Sequence, residues 1–148
     1  MVDIKSRLKL AELIRYVVAG LITVDEFEDA IPVSEDKAVD GIYYIGAWHL
    51  YSDWTDRLIG KNKVSKDNKN IIARWILFLK TPQEYSYPEQ RPIDALLGIV
   101  TLGFWMKKVE KRFIQTGDTD YWPFRNKNIF EEAKRCRGYL GYNNGKRL

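Results

Sequence analysis

Cysteine and histidine are almost missing from this sequence of 148 residues. Cys136 is the only cysteine, so the chain cannot form an internal disulfide, which is typical of proteins in a reducing compartment. His49 is the only histidine, and the cysteine and histidine spacings of zinc sites therefore cannot occur. The sequence predicts no cofactor and no metal.

Long hydrophobic runs are also missing. The longest, Ala95–Met106, covers about a dozen residues and is interrupted by glycine, whereas a helix that spans a bilayer needs about 20 apolar residues. The first residues, Met1–Lys5, do not combine a basic region with an apolar stretch, as a signal peptide would. We expect a soluble, cytoplasmic protein without a membrane partner.

Strand patterns are missing as well, because no segment alternates apolar and polar residues over several positions. Apolar residues instead recur at helical spacing. We predict an all-α fold, a compact single-domain bundle of about five or six helices over residues 1–140, followed by a basic, flexible tail over residues 141–148. The predicted helices are about Asp3–Val18, a short helix from the Thr23 cap to Ala30, Glu35–Ile59, Lys66–Lys80, Pro92–Gln115 and Asn128–Leu140. Ser34 is the predicted cap of the third helix, whose apolar stripe includes Trp54, and Ser65 is the predicted cap of the fourth.

One charge stands out inside an apolar run. Arg74 is the only polar residue between Ile71 and Leu79. A buried ion without a partner costs several kcal/mol, so Arg74 should pair with a carboxylate. We predict a structural ion pair between Asp53 and Arg74 that fixes the third helix against the fourth. Asp56 and Asp40 are the alternative partners.

Acidic side chains concentrate near the beginning of the chain. Residues 1–60 hold eleven acidic and six basic side chains, although the whole chain has a net charge of +4. Part of this negative charge suits helix N-termini. No basic residue interrupts the acidic cluster, which also suits a docking surface for a basic partner. The predicted acidic surface consists of Asp25, Glu26, Glu28, Asp29, Glu35 and Asp36.

Aromatic residues in two loops are candidate anchors for the same partner. The first loop covers residues 81–91 and is bracketed by prolines, and the second covers residues 116–125. Tryptophan and tyrosine dominate the energetics of protein interfaces. The predicted anchors are Tyr85, Tyr87, Tyr121 and Trp122.

Catalytic signatures are not found. The sequence has no Gly-x-Ser-x-Gly, no phosphate-binding loop and no His-Glu-x-x-His, and we predict that the protein is not an enzyme. His49 and Asp53 have the i, i+4 spacing of two metal ligands on one helix face. A half-buried polar histidine beside Trp48 explains that spacing more simply. Cys136, between two arginines, is expected to be a bystander thiol.

The C-terminal third suggests an alternative function. Its basic residues are interleaved with aromatic ones, a combination that can bind phosphates and stack on bases. A solvated basic face explains the charges equally well, and the spacings of helix-turn-helix and zinc modules are missing. The basic residues concerned are Lys107, Lys108, Lys111, Arg112, Arg125, Lys127, Lys134, Arg135 and Arg137.

Three parts of the chain resemble a poorly characterised family of small all-α bacterial cytoplasmic proteins. They are Leu21–Glu28, Leu50–Asp53 together with Ile72–Lys80, and Tyr121–Phe124. In general character such proteins are similar to the immunity proteins of interbacterial toxin systems. The resemblance implies a non-enzymatic protein that occludes a cognate toxin, and the acidic surface would then face a basic toxin domain. Nucleic-acid binding by the basic C-terminal third remains the alternative.

Overall fold

The computed structural model of the chain describes residues 1–88, 104–136, 142–143 and 146–147. Within these residues the chain forms six α-helices, so the predicted all-α fold is confirmed. A minimal antiparallel pairing joins Tyr142–Asn143 to Lys146–Arg147. The helices are α1 (Ile4–Val18), α2 (Val24–Asp29), α3 (Lys37–Ile45), α4 (Lys66–Leu79), α5 (Phe104–Thr116) and α6 (Lys127–Arg135).

The starts of α2 and α4 follow directly from the local sequence. Thr23 Oγ1 accepts a hydrogen bond from the Glu26 amide at 3.0 Å, and Glu26 Oε2 accepts one from the Thr23 amide at 2.8 Å. This is a complete capping box, which satisfies two otherwise unpaired backbone donors. At α4, Ser65 accepts a hydrogen bond from the Asn68 amide at 3.2 Å. Both predicted caps are confirmed.

The third helix is much shorter than predicted. It begins after the Asp36 cap, not after Ser34, and it ends at Ile45 instead of Ile59. The break falls at Gly46, where a Cβ atom would lie 2.9 Å from the ring of Trp75. A short 3-10 turn follows over Ala47–Leu50, and the chain then continues without regular structure as far as residue 59.

The core lies mainly between α1 and α4, which pack against each other. α1 buries Leu10, Ile14 and Val17, which recur at helical spacing. Phe78 of α4 extends this core into an aromatic cluster, with ring centroids 5.1 Å from Phe124 and 6.1 Å from Tyr85.

Parts of two predicted helices lie outside the described residues. These are residues 92–103 of the predicted fifth helix and residues 137–140 of the last one. Half of the predicted tail, residues 141, 144–145 and 148, also lies outside. None of the helices in the described part of the chain combines the length and the apolar character that crossing a bilayer requires.

A glycine inside α3 provides a test of the packing. Alanine normally stabilises a helix interior relative to glycine by roughly 0.5–1 kcal/mol. A Cβ atom at Gly41, however, would lie 2.6 Å from Cζ of the buried Tyr85 ring. Overpacking of this kind costs roughly 1–3 kcal/mol, so Gly41→Ala should lower the free energy of unfolding, measured by urea denaturation.

The control for this prediction removes the obstructing ring. In a Tyr85→Leu background, adding Gly41→Ala should no longer destabilise the protein, since the Cβ atom then has space. Equal destabilisation by Gly41→Ala in both backgrounds would contradict this explanation.

Candidate functional site

A buried ion pair joins Arg7 to Asp36. Arg7 is fully buried, and its Nε and Nη2 lie 2.6 and 3.0 Å from the two carboxylate oxygens of Asp36. Its Nη1 donates to the carbonyl oxygens of Thr81 and Gln83 at 3.0 and 2.7 Å. The guanidinium also lies 5.3 Å from the ring centroid of Phe78. This bidentate arrangement connects α1, the start of α3 and the segment after α4.

Asp36 is fully engaged in this network. Its carboxylate also accepts hydrogen bonds from the amides of Asp3, at 2.8 Å, and Ala38, at 3.0 Å. Burial alone would raise the pKa of Asp36, but the hydrogen bonds from Arg7 and the two amides hold it below its ordinary value. The prediction that Asp36 belongs to an exposed acidic surface is therefore wrong, because this carboxylate caps α3 and neutralises a buried arginine.

Asp3 supports the same corner of the molecule. It caps α1 through the Ser6 amide and accepts a hydrogen bond from the Ser34 hydroxyl at 2.9 Å. These hydrogen bonds, that of Ser6 first, lower the pKa of Asp3 to about 2. Ser34, the predicted capping residue of the third helix, does not cap it. Its hydroxyl instead donates a hydrogen bond to the Asp3 carboxylate and accepts one from the Asp36 amide.

The predicted ion pair between Asp53 and Arg74 is wrong. Arg74 donates to the carbonyl oxygens of Asp120 and Trp122. Its guanidinium lies over the rings of Tyr121 and Phe130, at 6.0 and 5.8 Å from their centroids. Asp53 lies in an exposed turn, because α3 ends before it. Arg74 thus fixes the segment after α5 and α6 onto α4.

Most of the predicted aromatic anchors belong to the core. Tyr85, Tyr87 and Trp122 are buried. Their polar atoms have internal partners: Trp122 Nε1 donates to the Tyr85 hydroxyl at 3.1 Å, and the Tyr87 hydroxyl donates to the Asp118 carbonyl at 3.0 Å. Tyr121 is half-buried between Arg74 and Phe130. The prediction of exposed anchors is therefore wrong for Tyr85, Tyr87 and Trp122, which serve packing instead, whereas Tyr121 is partly accessible.

The same burial weakens the nucleic-acid alternative. The described basic residues of the C-terminal third are all exposed, namely Lys107, Lys108, Lys111, Arg112, Arg125, Lys127, Lys134 and Arg135. Of the aromatic rings interleaved with them, those of Trp122 and Phe124 are inside the core, and that of Tyr121 is half-buried. Two of the three rings on which base stacking would depend are therefore not accessible.

A true acidic surface is formed by α2. Its residues Val24 and Phe27 face the core, and Asp25, Glu26 and Asp29 are exposed on the other side. Two more members of the predicted acidic set behave differently. Glu35 is exposed ahead of α3, whereas Glu28 is half-buried.

Glu28 lies toward two tyrosines. Burial raises the pKa of Tyr43, and the charge of Glu28 raises it further. Burial also raises the pKa of Tyr51, and a hydrogen bond with Glu28 adds to this shift. The carboxylate of Glu28 is thus directed inward and adds little to the outer acidic surface.

An exposed tryptophan lies beside this acidic helix. The segment that carries it is attached to α2 at two points: the Val24 amide donates to the Asp56 carbonyl at 2.8 Å, and Phe27 packs against Tyr51 with ring centroids 6.2 Å apart. Between them, a turn closed by the Thr55 amide and the Ser52 carbonyl carries Trp54, which is 96% exposed.

We call this surface the acidic–aromatic face. The exposed carboxylate of Asp53 adjoins Trp54 in the turn. A second aromatic pair, Tyr44 and Trp48, lies nearby, because both rings contact Tyr43, which in turn packs on α2. The acidic–aromatic face consists of Asp25, Glu26, Asp29, Asp53 and Trp54.

Sequence reasoning missed Trp54 because it placed this residue on the apolar stripe of an overlong helix. The available signal was the Ser52 and Thr55 pair, whose hydroxyls lie 3.0 Å apart across the turn. Serine and threonine side chains compete with helical hydrogen bonding in this way. A helix interior is therefore disfavoured around Trp54.

His49 and Cys136 do not contribute to a recognisable reactive group. His49 and Asp53 are both exposed, and the helix that would have aligned them ends at Ile45. In the described part of the chain, histidine, cysteine and carboxylate side chains do not gather in groups of three or more around a possible metal position. Cys136 is exposed at the end of α6.

Comparison with known proteins adds no relative. The chain matches no protein-family model, and searches of curated proteins and of solved structures found no match.

Proposed function

We propose that this chain is a non-enzymatic protein-binding module that acts as an immunity protein and neutralises a cognate bacterial toxin by occluding it. The acidic–aromatic face would be the binding surface, and the partner would be a basic toxin domain in the bacterial cytoplasm. One observation carries the proposal: Trp54, almost fully exposed, lies in a turn whose flanking residues contact α2, the helix that exposes Asp25 and Asp29.

The two components of this face suit different parts of recognition. An exposed tryptophan is the side chain most often found at the energetic centre of an interface. The surrounding carboxylates would accelerate association with a basic surface and disfavour acidic partners. A basic surface of this kind is common at the active site of a nuclease toxin, whose substrate is an anion.

The attachment of the Trp54 turn to α2 favours tight binding. Ordering a mobile loop on association costs free energy, and a loop that is already fixed avoids much of that cost. The amide of Val24 and the ring of Phe27 hold both ends of this segment. Trp54 is thus presented from a defined backbone position.

The test begins with affinity capture from the native host, with the full chain as bait, followed by binding measurements with the purified partner. Trp54→Ala should raise the dissociation constant of the complex at least ~30-fold, which corresponds to a loss of ~2 kcal/mol of binding free energy. Asp25→Lys with Asp29→Lys should slow association and abolish protection in a toxicity assay. Glu26 is left unchanged, because it forms the capping box of α2.

A charge-matched control separates this face from general electrostatics. Glu84→Lys with Glu132→Lys makes the same change in net charge at exposed positions away from α2. This variant should retain affinity and protection. The proposal fails if the α2 reversals and the Trp54→Ala variant bind like the unmodified chain.

A further inference from the structure

A cleft of about 480 Å³ lies between the end of α1 and α4. This volume is in the range of small-molecule sites, roughly 300–1,000 Å³. The cleft has a buried apolar floor formed by Leu58, Ile72 and Ile76, and an exposed basic rim formed by Arg15, Lys63 and Lys69. More exposed apolar side chains, those of Val18, Ala19 and Ile59, line its walls.

One wall of the cleft is held in place by the turn after α1. Gly20 has φ of +71°, and a Cβ atom there would lie 2.3 Å from Cγ2 of Ile59. Arg57 Nη1 donates to the Gly20 carbonyl at 3.1 Å. The side chain of Ile59 therefore packs closely on the turn after α1, and the cleft is part of the fold.

The positive charge of the rim has no counter-charge among the described residues. Within that part of the chain, Arg15, Lys63 and Lys69 form no ion pair, and no described carboxylate lines the cleft. Three cations thus share one rim beside apolar side chains, where an anion would be favourable.

We propose that this cleft binds a small amphipathic anion, a free molecule with a carboxylate or phosphate head and an aliphatic body. The head would contact Arg15, Lys63 and Lys69 at the rim. The aliphatic body would cover Leu58, Ile59 and Ile72. An inorganic anion would leave this apolar floor exposed, and a neutral alcohol would leave the rim without a counter-charge. The cleft shares no residue with the acidic–aromatic face, so this proposal does not depend on the proposed function.

Calorimetric titration of the full chain at low ionic strength tests the proposal with octanoate and octyl phosphate as probes. Both should bind at least about tenfold more tightly than 1-octanol, acetate or inorganic phosphate. The triple variant Arg15→Gln, Lys63→Gln, Lys69→Gln should weaken octanoate binding at least about tenfold. Ile59→Ser should weaken octanoate binding and leave the weak binding of inorganic phosphate unchanged.

A second triple variant provides the matched control. Lys5→Gln, Lys9→Gln and Arg135→Gln remove the same charge from exposed positions that do not line the cleft. If both triple variants weaken octanoate binding equally, the anion responds to the overall charge of the protein and not to this cleft, and the proposal is overturned. If inorganic phosphate binds as tightly as octyl phosphate, the aliphatic body contributes nothing, and the proposal of an amphipathic ligand is overturned. If the chain binds anionic phospholipid vesicles but not free octanoate, the proposal that the ligand is a free small molecule is overturned.

Discussion

Replacing Arg7 with methionine is expected to lower the free energy of unfolding by about 3–5 kcal/mol. The variant would leave the carboxylate of Asp36 buried without its counter-ion, and it would leave the carbonyls of Thr81 and Gln83 without a donor. Breaking a buried ion pair by removing one partner has this cost because the remaining charge is not solvated. Urea denaturation followed by circular dichroism measures the change.

Two controls distinguish the buried pair from surface charge. Lys5→Met alters an exposed cation on the same helix, and Glu35→Gln alters the exposed carboxylate next to Asp36. Each should change stability by no more than about 0.5 kcal/mol, as is usual for surface substitutions. If Arg7→Met lowers the free energy of unfolding no more than Lys5→Met does, the stabilising role of the buried Arg7–Asp36 pair is contradicted.

Acid titration gives the same prediction an independent readout. The folded-state pKa of Asp36 lies below its value in the unfolded chain, so its stabilising contribution is complete above the unfolded pKa, about 3.9. This contribution is lost as the pH falls through the folded pKa. The stability difference between the unmodified chain and Asp36→Asn should therefore be largest near neutral pH and shrink below about pH 4. A pH-independent difference would contradict the ionised pair.

Replacing Phe78 with alanine is expected to cost about 3–5 kcal/mol of stability, the usual range for removing a buried phenylalanine. Its ring contacts Phe124 and Tyr85 edge-on and also lies under the guanidinium of Arg7. The variant therefore removes buried apolar surface and also one wall of the ionic network. The free energy of unfolding from urea denaturation is the measurement.

Trp54→Ala is the matched aromatic control. Trp54 is larger than Phe78 but almost fully exposed, so its removal should change stability by no more than about 0.5 kcal/mol. The two variants should thus separate: Phe78→Ala reduces stability, and Trp54→Ala reduces partner binding. Severe destabilisation by Trp54→Ala would show that the turn is part of the core and would remove it from the proposed interface.

The helix starts could be read from the sequence because their signals are local. The capping box of Thr23 and Glu26, and the Ser65 cap, each involve residues three positions apart. The apolar spacing of α1 and α4 is local in the same sense, and it predicted both helices to within a residue or two. The exposure of the acidic side chains of α2 also follows from the local sequence, since the apolar residues of this helix must face the core.

A buried charge could be anticipated, but its identity could not. Arg7 was overlooked because lysines flank it at positions 5 and 9, which makes this end of α1 look solvated. It nevertheless lies on the buried stripe, three and seven residues before Leu10 and Ile14. That spacing was the available signal, whereas the partner could not be read from it, because Asp36 lies 29 positions further along the chain.

Local spacing in the sequence thus determined where most helices begin, which residues form the core stripes of α1 and α4, and that α2 presents carboxylates. The tertiary structure decided the pairing of Arg7 with Asp36 and the contacts of Arg74 with backbone carbonyls. It also decided the exposure of Trp54, which lies beyond the end of α3 in a turn whose flanking residues contact α2. Caps and periodicity act within one or two helical turns, whereas charge partners and the attachment of this turn depend on groups that meet only after the chain has folded.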